Sequence, residues 1–432
     1  MQLQQSTNTA HAGTVANIVS NTLCAAMALL AAVNVAVAGN EPRMIEVSDD
    51  TQTYTGMIVA KSAQECFIVD RYGRQAQLPI ANLKSFRVVG ESFRPASQSE
   101  FRRQLEAELG LDYEVAASKH YVVAGTRGHG RSYAALFEEI FHQVDVFYSL
   151  RGFRTLEPDA PLVALVLKDQ AAFKTYCEGD QMAWTEGLRG YYSLKSNRVV
   201  MYDLPELFRA VRLTPEADSQ TRGKAVIAVV SPLGGMGSSD GMGSSGDVEY
   251  PDGSSLARLR QAGSASAVGG ETADTIIHET THQVGFNIGI HSRIGGTPLW
   301  VLEGMATVLE SPGIRTRSSA GGQTEKVNAE RLTWFRKSYS ERREPGDLGK
   351  LIASDDMFRS QTLDAYSAAW GITWFLTENP ARARLFSKYL KTISEHDPLL
   401  QYTAEERLRD FQTTFGDIAR LEVDYVRAMD RL

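Results

Sequence analysis

His278-Glu279-Thr280-Thr281-His282, read with Trp300-Val301-Leu302-Glu303-Gly304-Met305-Ala306-Thr307-Val308-Leu309-Glu310, is the stretch on which the fold class of this chain turns. On a helix, residues four apart differ by only about 40° of rotation, so His278 and His282 project one above the other and can share a metal ion. Glu279 is turned by about 100° from His278, which sets its carboxylate beside such an ion, within reach of a water proton. Glu271 and Asp274 complement a helix dipole, so the helix is expected to begin near Gly270. Two histidines alone would make no more than a helical face; a third ligand decides the reading. Glu303, 21 residues beyond His282, is the candidate. Glu310 lies seven residues further on, nearly in phase with Glu303, and suits a carboxylate that orients a ligand histidine.

These residues resemble the gluzincin metallopeptidases, in which HExxH is followed by a helix carrying a glutamate ligand in a W-x-x-E-G-x-A setting; Trp300, Glu303, Gly304 and Ala306 stand at those positions. Aminopeptidase N-type enzymes share the pattern, and an uncharacterised bacterial domain family has the same WxxEGxAxxxE spacing. The resemblance implies that His278, His282 and Glu303 ligate zinc and that Glu279 is the general base. It also implies a zincin-like catalytic domain with a mixed α/β upper lobe and a helical lower lobe. A tyrosine opens a later helix in the aminopeptidase N-type enzymes and polarises the substrate carbonyl; Tyr366 is the matching residue, although Gly371 follows it by five residues rather than three. The competing reading packs Tyr366 against Trp370 and Trp374. Metzincins need a histidine where this chain has Ile288, so that reading fails even though Gly285 fits. His291 remains a less favoured ligand. No GAMEN-like amine-binding segment occurs, which favours an endopeptidase over an aminopeptidase. In the family the substrate backbone pairs with a sheet edge, for which the Gly190–Tyr202 hairpin is the local candidate.

The 432 residues allow two or three domains, with 43% hydrophobic and 22% charged residues. With 45 Lys+Arg against 52 Asp+Glu, net −7, no basic surface for nucleic acid is expected. Cys24, Cys66 and Cys177 are too few for a disulfide framework or a Cys-rich zinc site, so a metal must use histidine and carboxylate. Residues 1–38 carry no charged side chain, and Leu23–Val35 is an apolar run ending in Ala36-Val37-Ala38. That pattern predicts a signal peptide cleaved after Ala38, with the departure that basic residues are missing before the run. Export and no stable membrane span are therefore expected.

Short β runs between Tyr54 and Val89, with a turn at Tyr72-Gly73 and a one-turn helix at Pro79–Leu83, predict a small SH3-like β barrel over residues 39–92. Residues 93–112 read as a helical linker, 113–230 as an α/β lobe and 231–270 as a flexible Gly/Ser/Met-rich loop containing Gly-Met-Gly-Ser-Ser twice. Residues 271–432 read as the helical zinc-binding lobe, with helix starts at Asn379-Pro380 and at Thr403-x-x-Glu406. The overall expectation is an α+β, secreted, zinc-dependent hydrolase acting on a peptide or protein substrate. The alternative is an exported zinc-bearing binding or scaffold protein of the cell envelope without catalysis.

Overall fold

A computed structural model describes residues 42–203, 272–315 and 326–432. The expected leader, the Gly/Ser/Met tract and Gly270 lie outside the described residues. The chain divides after Ser97 into two units.

In the first unit, β1 (Met44–Ser48), β2 (Thr53–Lys61), β3 (Glu65–Val69), β4 (Gln75–Pro79) and β5 (Ser85–Gly90) form one antiparallel sheet of order β4-β3-β2-β1-β5. Alternate residues of each strand point to opposite faces, and Ile45, Val47, Cys66, Ile68 and Leu78 make the buried side together with Ile80 and Leu83. The turn at Tyr72-Gly73 forms as expected: Gly73 takes φ 74°, and the Asp70 carboxylate accepts the backbone N–H groups of Tyr72 and Arg74, each at 2.8 Å. A 3-10 turn, Ile80–Asn82, stands between β4 and β5. The predicted barrel is not closed. Among the described residues β4 and β5 are the two ends of the sheet, because β5 pairs with β1. Strand spacing along a chain counts strands but carries no information on the tilt and stagger that closure needs.

The second unit opens with α1 (Gln98–Leu109), the segment expected as a linker. It is instead a packed element: Phe101 and Leu105 are buried, and Glu108 takes both guanidinium nitrogens of Arg198 at 2.6 and 3.0 Å. β6 (Tyr113–Ala117), β7 (Tyr121–Thr126), β8 (Leu162–Leu167), β9 (Gly190–Ser193) and β10 (Arg198–Tyr202) form a mixed sheet of order β6-β7-β8-β10-β9. The three inner strands are parallel, and α2 (Gly130–Leu150) is the crossover from β7 to β8. Fully buried strand residues such as Leu162–Leu167 explain the continuous apolar run there. The hairpin between β9 and β10 turns at Asn197, whose φ of 57° suits asparagine.

After residue 271 the described chain is helical: α3 (Thr272–Asn287), α4 (Leu299–Leu309), α5 (Ala329–Trp334), α6 (Thr362–Thr377), α7 (Pro380–Ser394), α8 (Ala404–Phe415) and α9 (Ile418–Arg431). Both expected helix starts are present. Asn379 accepts the N–H groups of Ala381 and Arg382, and Thr403 with Glu406 makes a reciprocal capping box. α3 is bound to the sheet by Gln283, whose side-chain amide donates to the carbonyls of Val163 at 2.9 Å and Asn197 at 2.8 Å. The whole unit is mixed α+β, and one core joins the inner face of the sheet to the helices. Among the described residues no helix is long and apolar enough to cross a membrane.

Candidate metal centre

α3 presents His278 and His282 on one side, with ring centroids 4.7 Å apart and the rings at 82°. α4 crosses beside it and brings Glu303 between them: Oε2 lies 3.1 Å from His278 Nε2 and Oε1 3.6 Å from His282 Nε2. One ligand atom from each of the three residues falls within 4.8 Å of the others, and all three residues are buried. Among the described residues no other group of histidine, cysteine and carboxylate converges in this way.

α4 approaches the next helix so closely because of Gly304. A Cβ there would lie 2.2 Å from Thr373 Oγ1 and 2.7 Å from the carbonyl oxygen of Ala369 on α6. Trp300 anchors the other side, stacked on Phe386 and Tyr389 with Phe411 at its edge. The N-terminus of α4 is capped from a distance: Leu299 N–H donates to Asp355 Oδ1 at 3.1 Å, and Asp355 is paired with Arg407 of α8 at 2.9 Å.

Glu310 lies where the sequence placed it, with Oε1 2.8 Å from His278 Nδ1. Its other oxygen accepts from Asn328 Nδ2 at 2.6 Å, a partner that sequence reasoning missed. Glu279 stands apart from the three converging residues; its Oε2 accepts the backbone N–H of Tyr192 at 2.8 Å. That contact was illegible because it uses a backbone group, which no residue type announces. Tyr192 lies on β9, the edge strand of the sheet in the hairpin expected to meet a substrate; β9 is buried along its length. Tyr366 is 2% exposed, and its hydroxyl hydrogen-bonds Glu303 while its ring packs edge-on to Phe358. His291 does not join the converging group: it is buried beside Gly285, where a Cβ would come within 2.9 Å of its ring.

Burial would push the Glu303 carboxyl up, but His282, His278 and Tyr366 together hold it below the ordinary carboxylate value. His282 is pulled down to about 4 by burial, with the neighbouring His278 adding to the effect against Glu303. Burial also disfavours charge on His278, yet hydrogen bonds to Glu303 and Glu310 outweigh it and raise its pKa. Glu303 Oε1 is buried without a hydrogen-bond partner. A buried carboxylate oxygen of this kind needs a partner, and a cation is the partner that two imidazoles and a carboxylate fit. Two imidazoles and one carboxylate at these distances are a donor set that could hold a divalent metal ion.

Residues 272–400 match a family described as Protein of unknown function (DUF1570). That span contains His278, Glu279, His282, Glu303, Glu310, Asn328 and Tyr366. Neither a curated protein nor a solved structure matches the chain.

Proposed function

We propose that this chain is an exported zinc-dependent metallopeptidase of gluzincin type, with a zincin-like second unit and peptide bonds as its substrate. The convergence of His278, His282 and Glu303, with Glu279 beside but outside the group, carries the reading. His278, His282 and Glu303 would hold a zinc ion with three protein ligands, the number found in catalytic rather than structural sites. Zinc held there would supply Lewis acidity, which brings the pKa of a water towards about 7. Glu279 accepts the proton of the attacking water and delivers it to the leaving amine, a role that suits a carboxylate oriented by the Tyr192 backbone N–H. Glu310 keeps His278 Nδ1 occupied, so that Nε2 is the nitrogen offered to the ion. Tyr366 is the donor proposed for the developing oxyanion. For the first unit we propose an SH3-like packing or spacer module, supported by the strand order and the 3-10 turn before β5.

The purified chain should carry about one zinc, and His278→Ala, His282→Ala and Glu303→Ala should each lose it. Glu279→Gln should keep zinc while hydrolysis of a peptide library falls by about 10²–10⁴-fold. Zinc retained in full by Glu303→Ala would remove that residue from the ligand set. A zinc-loaded wild type that cleaves nothing would favour the binding or scaffold reading.

A further inference from the structure

We infer that Asn328 is a positioning residue for the metal: its side-chain amide holds the Glu310 carboxylate, and through it the His278 ring, in the orientation that presents Nε2 to the ion. The inference rests on the zinc reading above and extends it to a residue outside both ligand-bearing helices.

Glu310 caps the C-terminus of α4, where the helix dipole is negative and does nothing to stabilise a carboxylate. Its direction must therefore be set by donors from elsewhere. Its two oxygens have separate partners, with Oε1 2.8 Å from His278 Nδ1 and Oε2 2.6 Å from Asn328 Nδ2. Asn328 is itself fixed at both ends of its planar amide. Its Oδ1 accepts the Arg331 N–H at 3.1 Å as the N-cap of α5, and its Nδ2 also reaches the Thr307 carbonyl at 3.3 Å. α5 is in turn held on α6, since Ser367 Oγ donates to the Arg331 carbonyl at 2.8 Å and the Arg331 guanidinium lies 5.4 Å from the Tyr366 ring centroid. The capping bond decides which way the amide points, because the oxygen is taken and only N–H can face Glu310. A chain of fixed groups thus runs from α6 through α5 and Asn328 to the outer carboxylate of the site.

Asn328→Asp separates this role from helix capping. Aspartate caps as well as asparagine does, but it brings an anion where Glu310 Oε2 needs a donor. The measurement is the zinc dissociation constant of the full chain, by competition with a chromophoric chelator, in wild type, Asn328→Asp, Glu310→Ala and the double variant. Asn328→Asp should weaken zinc by about 10–100-fold, the range for partners that orient a metal ligand, and should add no further loss in the Glu310→Ala background. Asn328→Ser, which keeps a capping oxygen and introduces no charge, should weaken zinc in the same direction and serves if the aspartate variant fails to fold. Unchanged zinc affinity in a folded variant, or the same loss with and without Glu310, would overturn the inference while leaving the zinc reading intact. A wild type that binds no zinc would overturn both.

Discussion

Tyr366 sits where two chemical uses of one hydroxyl compete. The resemblance to aminopeptidase N-type enzymes assigns it to the substrate carbonyl, whereas the structure joins its hydroxyl to Glu303. Its phenol is raised well above the ordinary tyrosine value by burial first, and then by the charge and hydrogen bond of Glu303. Both effects favour the neutral phenol, the form that can donate. Tyr366→Phe removes the donor and keeps the ring that packs on Phe358. With the oxyanion role, kcat for a peptide substrate should fall by about 10²–10³-fold while zinc content stays near wild type. A fall in zinc affinity with unchanged kcat would show instead that the hydroxyl only orients Glu303. His291 stands outside the converging group: the glycine at 285 admits its ring, and its Nδ1 is buried without a hydrogen-bond partner.

Among the elements, the crossing of α4 and α6 sets the position of Glu303. Gly304 adjoins Glu303, and its missing Cβ is what lets α4 approach the α6 backbone at Ala369. Gly304→Ala would gain helix propensity, by up to about 1 kcal/mol. The carbonyl of Ala369 cannot yield as a side chain can, so overpacking should dominate, with a net loss of about 1–3 kcal/mol in urea unfolding. Zinc affinity should fall with it, because the helix that moves is the one that carries Glu303. Stability equal to or above wild type would show that the crossing is looser than its geometry implies. The glycine and tryptophan of the W-x-x-E-G-x-A pattern are thus packing residues: one admits a neighbouring helix and the other fills the core between α7 and α8.

At the scale of the molecule, the matched segment 272–400 does not contain everything that holds its own site. Arg407, on α8 beyond that segment, pairs with Asp355, which caps α4; both are buried, at 3% and 6% exposure. Arg407→Ala leaves a buried carboxylate with its chief partner gone, and the expected cost is about 3–5 kcal/mol in urea unfolding. A loss below about 1 kcal/mol would show that the Leu299 N–H and water suffice for Asp355. α9 contributes as well, since Tyr425 and Met429 pack over Gly371 on α6.

The His278-x-x-x-His282 spacing and the caps at Asn379 and Thr403 were legible in the chain because they depend on helical periodicity or on a local side-chain bond. The hairpin and the α/β alternation were legible for the same reason. Glu303 and Glu310 were singled out by the W-x-x-E-G-x-A resemblance and the phase between them, and their approach to His278 was settled only by the packing of α4 on α3. Tertiary structure alone decided that Gln98–Leu109 belongs to the second unit, that the five-strand sheet stays open, and that Asn328, Tyr192 and Asp355 reach the site. Those contacts join residues far apart in sequence through a neutral amide, a backbone N–H and a buried ion pair. Periodicity specifies which face of an element is apolar, whereas the partner that satisfies a buried polar group is chosen only when the elements pack.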